Sequence, residues 1–151
     1  MQPTTLLGVD CGLSGAWALL IDGDLVDVGD MPAADGAVSA HLLHEAIPAR
    51  GDGQACAFVE IANAMPGQGV SSTWKFARAT GVVEGVLAGK GWPMVTVSPA
   101  KWKRDLGLGK DKGSSRAMAA RLWPHRAQWF ARVKDDGRAE AALLAYWGSR
   151  R

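Results

Sequence analysis

Four carboxylates stand where a carboxylate is expensive or is paired with another. Asp10 closes an apolar run, LLGVD, just before the chain breaks at Gly12. Glu60 sits near the end of ACAFVEI, an almost wholly apolar stretch. Asp136 and Glu140 open the last apolar-periodic segment, and their i, i+4 spacing puts both on one helical face. An acid inside a buried strand carries a desolvation cost. Several acids brought together also repel and raise one another's pKa. Divalent cations remove both penalties, and an all-oxygen donor set suits Mg²⁺, with Mn²⁺ as a substitute. Two such ions would clamp a phosphodiester, one activating water and the other stabilising the leaving 3′ oxygen. Taken singly, the acids have plainer readings. Asp10 could cap the turn at 11–15, Asp136 or its neighbour Asp135 could cap the last helix, and Glu140 could sit in an ion pair. Jointly they favour a metal site. Zinc is a poor fit, because His41, His44 and His125 lack ligand spacing and no C-x-x-C occurs.

These acids need a sheet with its strand ends side by side. Residues 4–11 and 16–21 read as two strands, and Asp22-Gly23-Asp24 as a tight hairpin turn into a short third strand at 25–28. Asp35 is a plausible N-cap for a helix over 36–47. Residues 55–61 read as a central parallel strand, followed by a Gly/Pro-bearing loop at 62–70. Ser71 or Ser72 caps a helix to about residue 88, with Gly81 and Gly85 on one face for close packing and Val83 and Leu87 as exposed apolar positions for a dimer interface. A fifth strand spans 94–98. Ser98-Pro99 then starts a short helix through 106, in the cap-then-proline pattern. Helices follow at 114–123 and 136–147, with a short helix or irregular segment at 125–133. The expected fold class is therefore α/β: a five-stranded mixed sheet, three antiparallel strands then two parallel ones, flanked by helices. The crossovers should be right-handed. If the first strand is central, Asp10 and Glu60 face one another.

The chain has 151 residues, which suggests a single domain over 1–151 with a real core. No apolar run approaches the length of a membrane span. The start lacks the basic region of a signal peptide. Cys11 and Cys56 make no disulfide framework, so a reducing cytoplasm is the expected setting. Charge is split along the chain. Up to Trp74 there are nine acids and one basic residue, Arg50; from Lys75 onward there are sixteen basic residues and six acids. Trp and Lys/Arg interleave in the basic part, as in Lys101-Trp102-Lys103-Arg104. Basic groups neutralise phosphates and aromatic rings offer stacking surfaces, so a nucleic acid is the expected partner.

VDCGLSGAWALL, VEIANAMPGQGVSS, VSPAKWKRDLGLGKDK and KDDGRAEAALLAYWG resemble, in that order, the RuvC-type Holliday junction resolvases, most of all the bacteriophage and plastid branch. The resemblance spans nearly the whole chain. It implies an RNase H-like fold, a homodimer, and a Mg²⁺-dependent endonuclease that nicks opposed strands of a four-way DNA junction. It places the catalytic, metal-binding acids at Asp10, Glu60, Asp136 and Glu140. It also implies DNA contacts from the loop carrying Met65 and Gln68, branch-point contacts from Lys75 and Phe76, and phosphate contacts from Lys101, Lys103, Lys110 and Lys112. Rival readings are another RNase H-like nuclease, a DNA-binding protein of this fold without catalysis, and an actin-like or sugar-kinase ATPase. The last needs two such domains.

Overall fold

The computed structural model describes residues 2, 4–61 and 63–151, the side chain of Lys112 excepted. Ala62, in the expected loop, lies outside the described residues. In chain order the elements are β1 (Thr4–Asp10), β2 (Ala16–Ile21), β3 (Asp24–Asp30), β4 (Ala33–Ala34), β5 (Ala37–Val38), α1 (Ala40–Ala46), β6 (Gln54–Glu60), α2 (Val70–Gly89), β7 (Met94–Val97), α3 (Pro99–Asp105), α4 (Lys112–Leu122) and α5 (Asp136–Ser149). Two 3₁₀ segments, Pro124–Phe130 and Val133–Asp135, link α4 to α5.

The main sheet has the order β3-β2-β1-β6-β7. β1 pairs antiparallel with β2, and β2 with β3; β1 pairs parallel with β6, and β6 with β7. This is the expected mixed sheet with the first strand at its centre. Alternation along β1 sorts the core in two. Leu7 and Val9 pack with Leu19, Val59 and Val83 beneath α1 and α2. Leu6 packs with Leu20, Phe58, Trp102 and Leu143 on the side covered by α3, α4 and α5. Cys11 belongs to the first layer and Cys56 packs against the second, so the two thiols lie across the sheet from each other.

Three local expectations are corrected. Residues 33–38 form a small hairpin, not the start of a helix: β4 and β5 pair across Asp35 and Gly36, whose φ values are +52° and +74°. Asp-Gly with both residues left-handed is the type I′ signal, the same one that makes the Asp22-Gly23 turn. The helix starts later, at Ala40, capped by Ser39 through Leu42 N–H. Second, α2 begins at Val70 after Gly69, with no side-chain cap from the serines. Third, Val83 and Leu87 are fully buried in the core and are not interface residues. Gly81 and Gly85 instead sit on the open face of α2, where an added Cβ would meet nothing within 4 Å. Smaller shifts also occur: Asp111 caps α4 at Lys112, two residues earlier than expected, and α5 runs on to Ser149. No helix among the described residues is long and apolar enough to cross a membrane.

Candidate active site

β1 and β6 run parallel, and their last residues, Asp10 and Glu60, are partners in the register. Equal positions on adjacent parallel strands put both side chains on one face, here the α5 face. The third acid comes from α5, which lies across β1 and β2. That close crossing depends on bare backbone. A Cβ on Gly8 would fall 1.9 Å from the Ala141 carbonyl oxygen, and one on Gly137 would fall 2.6 Å from that of Ser14. With glycine at both places, α5 settles onto the strand and delivers Glu140 to the sheet's carboxyl edge. One oxygen from each of Asp10, Glu60 and Glu140 then lies within 4.8 Å of the others. Oxygens sharing one Mg²⁺ at about 2.1 Å lie within about 4.2 Å of one another, so a small contraction of this set suffices.

The electrostatics carry the strain of assembling these acids. Burial pushes the Glu60 carboxyl above the usual range, and Glu140 nearby adds to it; a hydrogen bond from Trp102 and the charge of Lys103 oppose the rise. Trp102 Nε1 donates to Glu60 Oε2 at 2.7 Å, and Lys103 Nζ donates to Glu140 Oε1 at 2.9 Å. Adjacent residues of α3 thus reach two different acids. The helix is set for this by its start: Ser98 caps it through Lys101 N–H, and Pro99 takes the first helical position. For Lys103, burial lowers the pKa, but the Glu140 bond and the charges of Glu140, Glu60 and Asp10 outweigh it and leave it raised. Cys11, next to Asp10, is buried. Burial and the Asp10 charge push its thiol up to about 12.

No protein-family model matches the chain. The chloroplastic Holliday junction resolvase MOC1 of Chlamydomonas reinhardtii is 34% identical over 116 residues, 74% of this chain and 13% of that protein. The chain therefore spans about an eighth of the curated relative it matches. Two structures of RuvC from T. thermophilus superpose over 97% of this chain and 95% of theirs. One, in complex with Holliday junction substrate, has a TM-score of 0.63 at 15% identity; the other has 0.60 at 16%. The fold is that of RuvC.

Within this RuvC fold, the acid pair opening α5 splits. Glu140 joins the cluster, whereas Asp136, one turn earlier, holds Arg116 Nε at 3.0 Å. Asp135 has a structural task. It is 1% exposed, accepts the Arg132 backbone N–H at 2.9 Å, and pairs with the Arg132 guanidinium at 2.7 Å. The side-chain bond from Arg132 is the main reason its carboxyl lies below the usual range.

The expected DNA-contact residues scatter around this centre. Met65 is 69% exposed, and its backbone N–H donates to Gln68 Oε1 at 3.2 Å, closing the loop after β6 into a turn. Lys75 is exposed at the start of α2. The half-buried Phe76 ring comes within 4.0 Å of a Cβ built on Gly12, beside the turn that follows Asp10. Lys101 is exposed but paired with Asp105 at 3.4 Å. Lys103 and Lys110 line one shallow groove with Arg104 and Leu108. Lys112 opens α4, and its side chain lies outside the described residues. Sequence reasoning missed Trp102 and Arg116 as partners of the acids. The Lys-Trp-Lys-Arg interleaving singled out the right segment, but a short helix's facing direction is settled only by packing.

Proposed function

We propose that the chain is a structure-selective DNA endonuclease that resolves four-way junctions by paired symmetric nicks, leaving 5′-phosphate and 3′-hydroxyl ends. The observation that carries this reading is the convergence of Asp10, Glu60 and Glu140 at the carboxyl edge of the sheet. The oxygen-only donor set fits Mg²⁺, with Mn²⁺ as a substitute, and a bound ion would supply positive charge for the phosphodiester and acidify a water molecule. Asp10, Glu60 and Glu140 would hold it, and Asp136 becomes a further ligand if its carboxylate leaves Arg116. Lys103, Arg104 and Lys110 give the groove beside the acids a positive lining suited to backbone phosphates. The exposed Met65, Val70 and Trp74 lie on the loop after β6 and the start of α2. They suit an unstacked junction centre better than a closed duplex.

Two opposed nicks call for two active sites, so the working unit in this reading is a homodimer. With Val83 and Leu87 in the core, the face of α2 free for a second copy is the one bearing Gly81, Gly85 and Gly89 beside His41 and His44. The two free thiols fit a reducing compartment such as the cytoplasm.

The deciding experiment offers a synthetic mobile four-way junction, a linear duplex, a flap and an RNA–DNA hybrid with Mg²⁺. Paired nicks in the junction alone are expected, with none from Asp10→Asn or Glu60→Gln chains that still bind it. Linear duplex cut as readily as the junction excludes the resolvase reading, and preferential hybrid cleavage favours another RNase H-like nuclease.

A further inference from the structure

Among the described residues, the largest fully buried side chain ends at the acid cluster. Trp102 is 0% exposed and packs in the core layer with Phe58, Val97 and Trp147. Its one polar atom, Nε1, donates to Glu60 Oε2 at 2.7 Å. A hydrogen bond to a carboxylate of this length is strong. The ring is fully buried between the core layer and the Lys103 ammonium, which lies 5.4 Å from its centroid, and its N–H points to Glu60. A single donor engages one carboxylate oxygen and fixes the plane of the group while leaving the other oxygen for a cation.

From this geometry we propose that Trp102 is a positioning residue for Glu60, and that its indole N–H sets the affinity of the acid cluster for divalent cations. The inference rests on the metal-site reading above and extends it to a fully buried residue that is not itself one of the acids. Without the N–H, Glu60 can rotate about its last torsion. Its oxygens then spend less time in the arrangement shared with Asp10 and Glu140. Groups that orient metal ligands in this way typically account for 10- to 100-fold in metal affinity.

The test separates the N–H from the ring. Trp102→Phe removes the donor and also some volume. Replacing Trp102 with 3-benzothienylalanine by site-specific incorporation keeps the bicyclic shape and substitutes sulfur for N–H. Mn²⁺ binding to each DNA-free chain is read by electron paramagnetic resonance, with melting temperature measured in EDTA. The expected result is a dissociation constant raised about tenfold or more in both variants, with the benzothienyl chain melting close to the wild type. Wild-type affinity in the benzothienyl chain overturns the proposal, whatever Trp102→Phe does, because shape would then be all that matters. Failure of the wild-type chain itself to bind Mn²⁺ overturns the metal-site reading, and this inference with it.

Discussion

Lys103 Nζ lies 2.9 Å from Glu140 Oε1, joining residues 37 positions apart in the chain. The ammonium sits where the three acids concentrate their negative charge. It pairs with one of the carboxylates that would hold the ion in the metal-site reading proposed above, so ammonium and ion would compete for Glu140.

Replacing Lys103 with Gln should therefore destabilise the chain in EDTA by about 1.5–3 kcal/mol, the usual worth of a hydrogen bond to a charged group. Mg²⁺ should recover part of that loss. The alkaline pH dependence has a definite sign. The folded chain holds the Lys103 proton above its ordinary value, so the stabilisation is complete below the unfolded value of about 10.4 and is lost as pH rises through the folded one. Thermal melts of wild type and variant should converge over that alkaline window. Melts that stay equally far apart would show that the ion pair is not the source of the difference.

Asp135 and Asp136 should separate cleanly by mutation to Asn. Asp135→Asn removes the charge and one of the two acceptor oxygens that hold the Arg132 backbone N–H and guanidinium, and should cost about 1–3 kcal/mol at neutral pH. Its folded pKa is lowered, so this contribution is present above the unfolded value of about 3.9 and disappears as pH falls through the folded value. Asp136→Asn breaks only a partly exposed pair with Arg116 and should cost at most about 1 kcal/mol, yet slow junction cleavage. Denaturant melts at neutral and acid pH, alongside nicking assays, distinguish the two. A stable, fully active Asp136→Asn chain would remove Asp136 from the metal site.

Gly8→Ala tests how Glu140 is delivered. The new methyl would sit 1.9 Å from the Ala141 carbonyl oxygen, so the backbone of α5 must lift. Overpacking of this kind costs about 1–3 kcal/mol, sometimes more. The displaced helix carries Glu140 with it, so Mn²⁺ affinity should fall along with the melting temperature. Unchanged metal binding in a destabilised chain would mean that α5 absorbs the strain away from Glu140.

Lys110→Ala should weaken junction binding and reduce the slope of log affinity against log salt by about 0.9, the signature of one lost phosphate contact. Lys101→Ala should do less, because Asp105 already holds that ammonium at 3.4 Å. Equilibrium binding across a salt series, with Ca²⁺ replacing Mg²⁺, measures both. A larger slope change at Lys101 than at Lys110 would move the phosphate track from the groove to the outer face of α3.

Local chemistry made much of the molecule legible. Apolar runs bounded by Gly and Asp located the five long strands, because period and turn residues are short-range properties. The same reasoning succeeded at Asp22-Gly23 and failed at Asp35-Gly36. In the second case the flanking strands are only two residues each, too short to show any alternation. Ser39, which stands four residues further on, is the cap that the helix uses. For Val83 and Leu87, apolar character on a helix was visible, but which face meets the sheet was not.

By itself the sequence determined that Asp10 and Glu60 stand at the ends of apolar strands and that Asp136 and Glu140 share a helix face, since apolar runs and helical period are properties of residues near each other in the chain. That the two strands are neighbours with these acids in register was settled by the sheet order. Only the tertiary structure decided who partners whom among the charges. Glu140 joins the cluster and Asp136 turns to Arg116, Trp102 and Lys103 reach in from α3, and Asp135 caps a turn. Those choices depend on how closely α5 and α3 approach the sheet. That distance is set by packing between glycines, carbonyls and indoles far apart in sequence, and no local pattern encodes it.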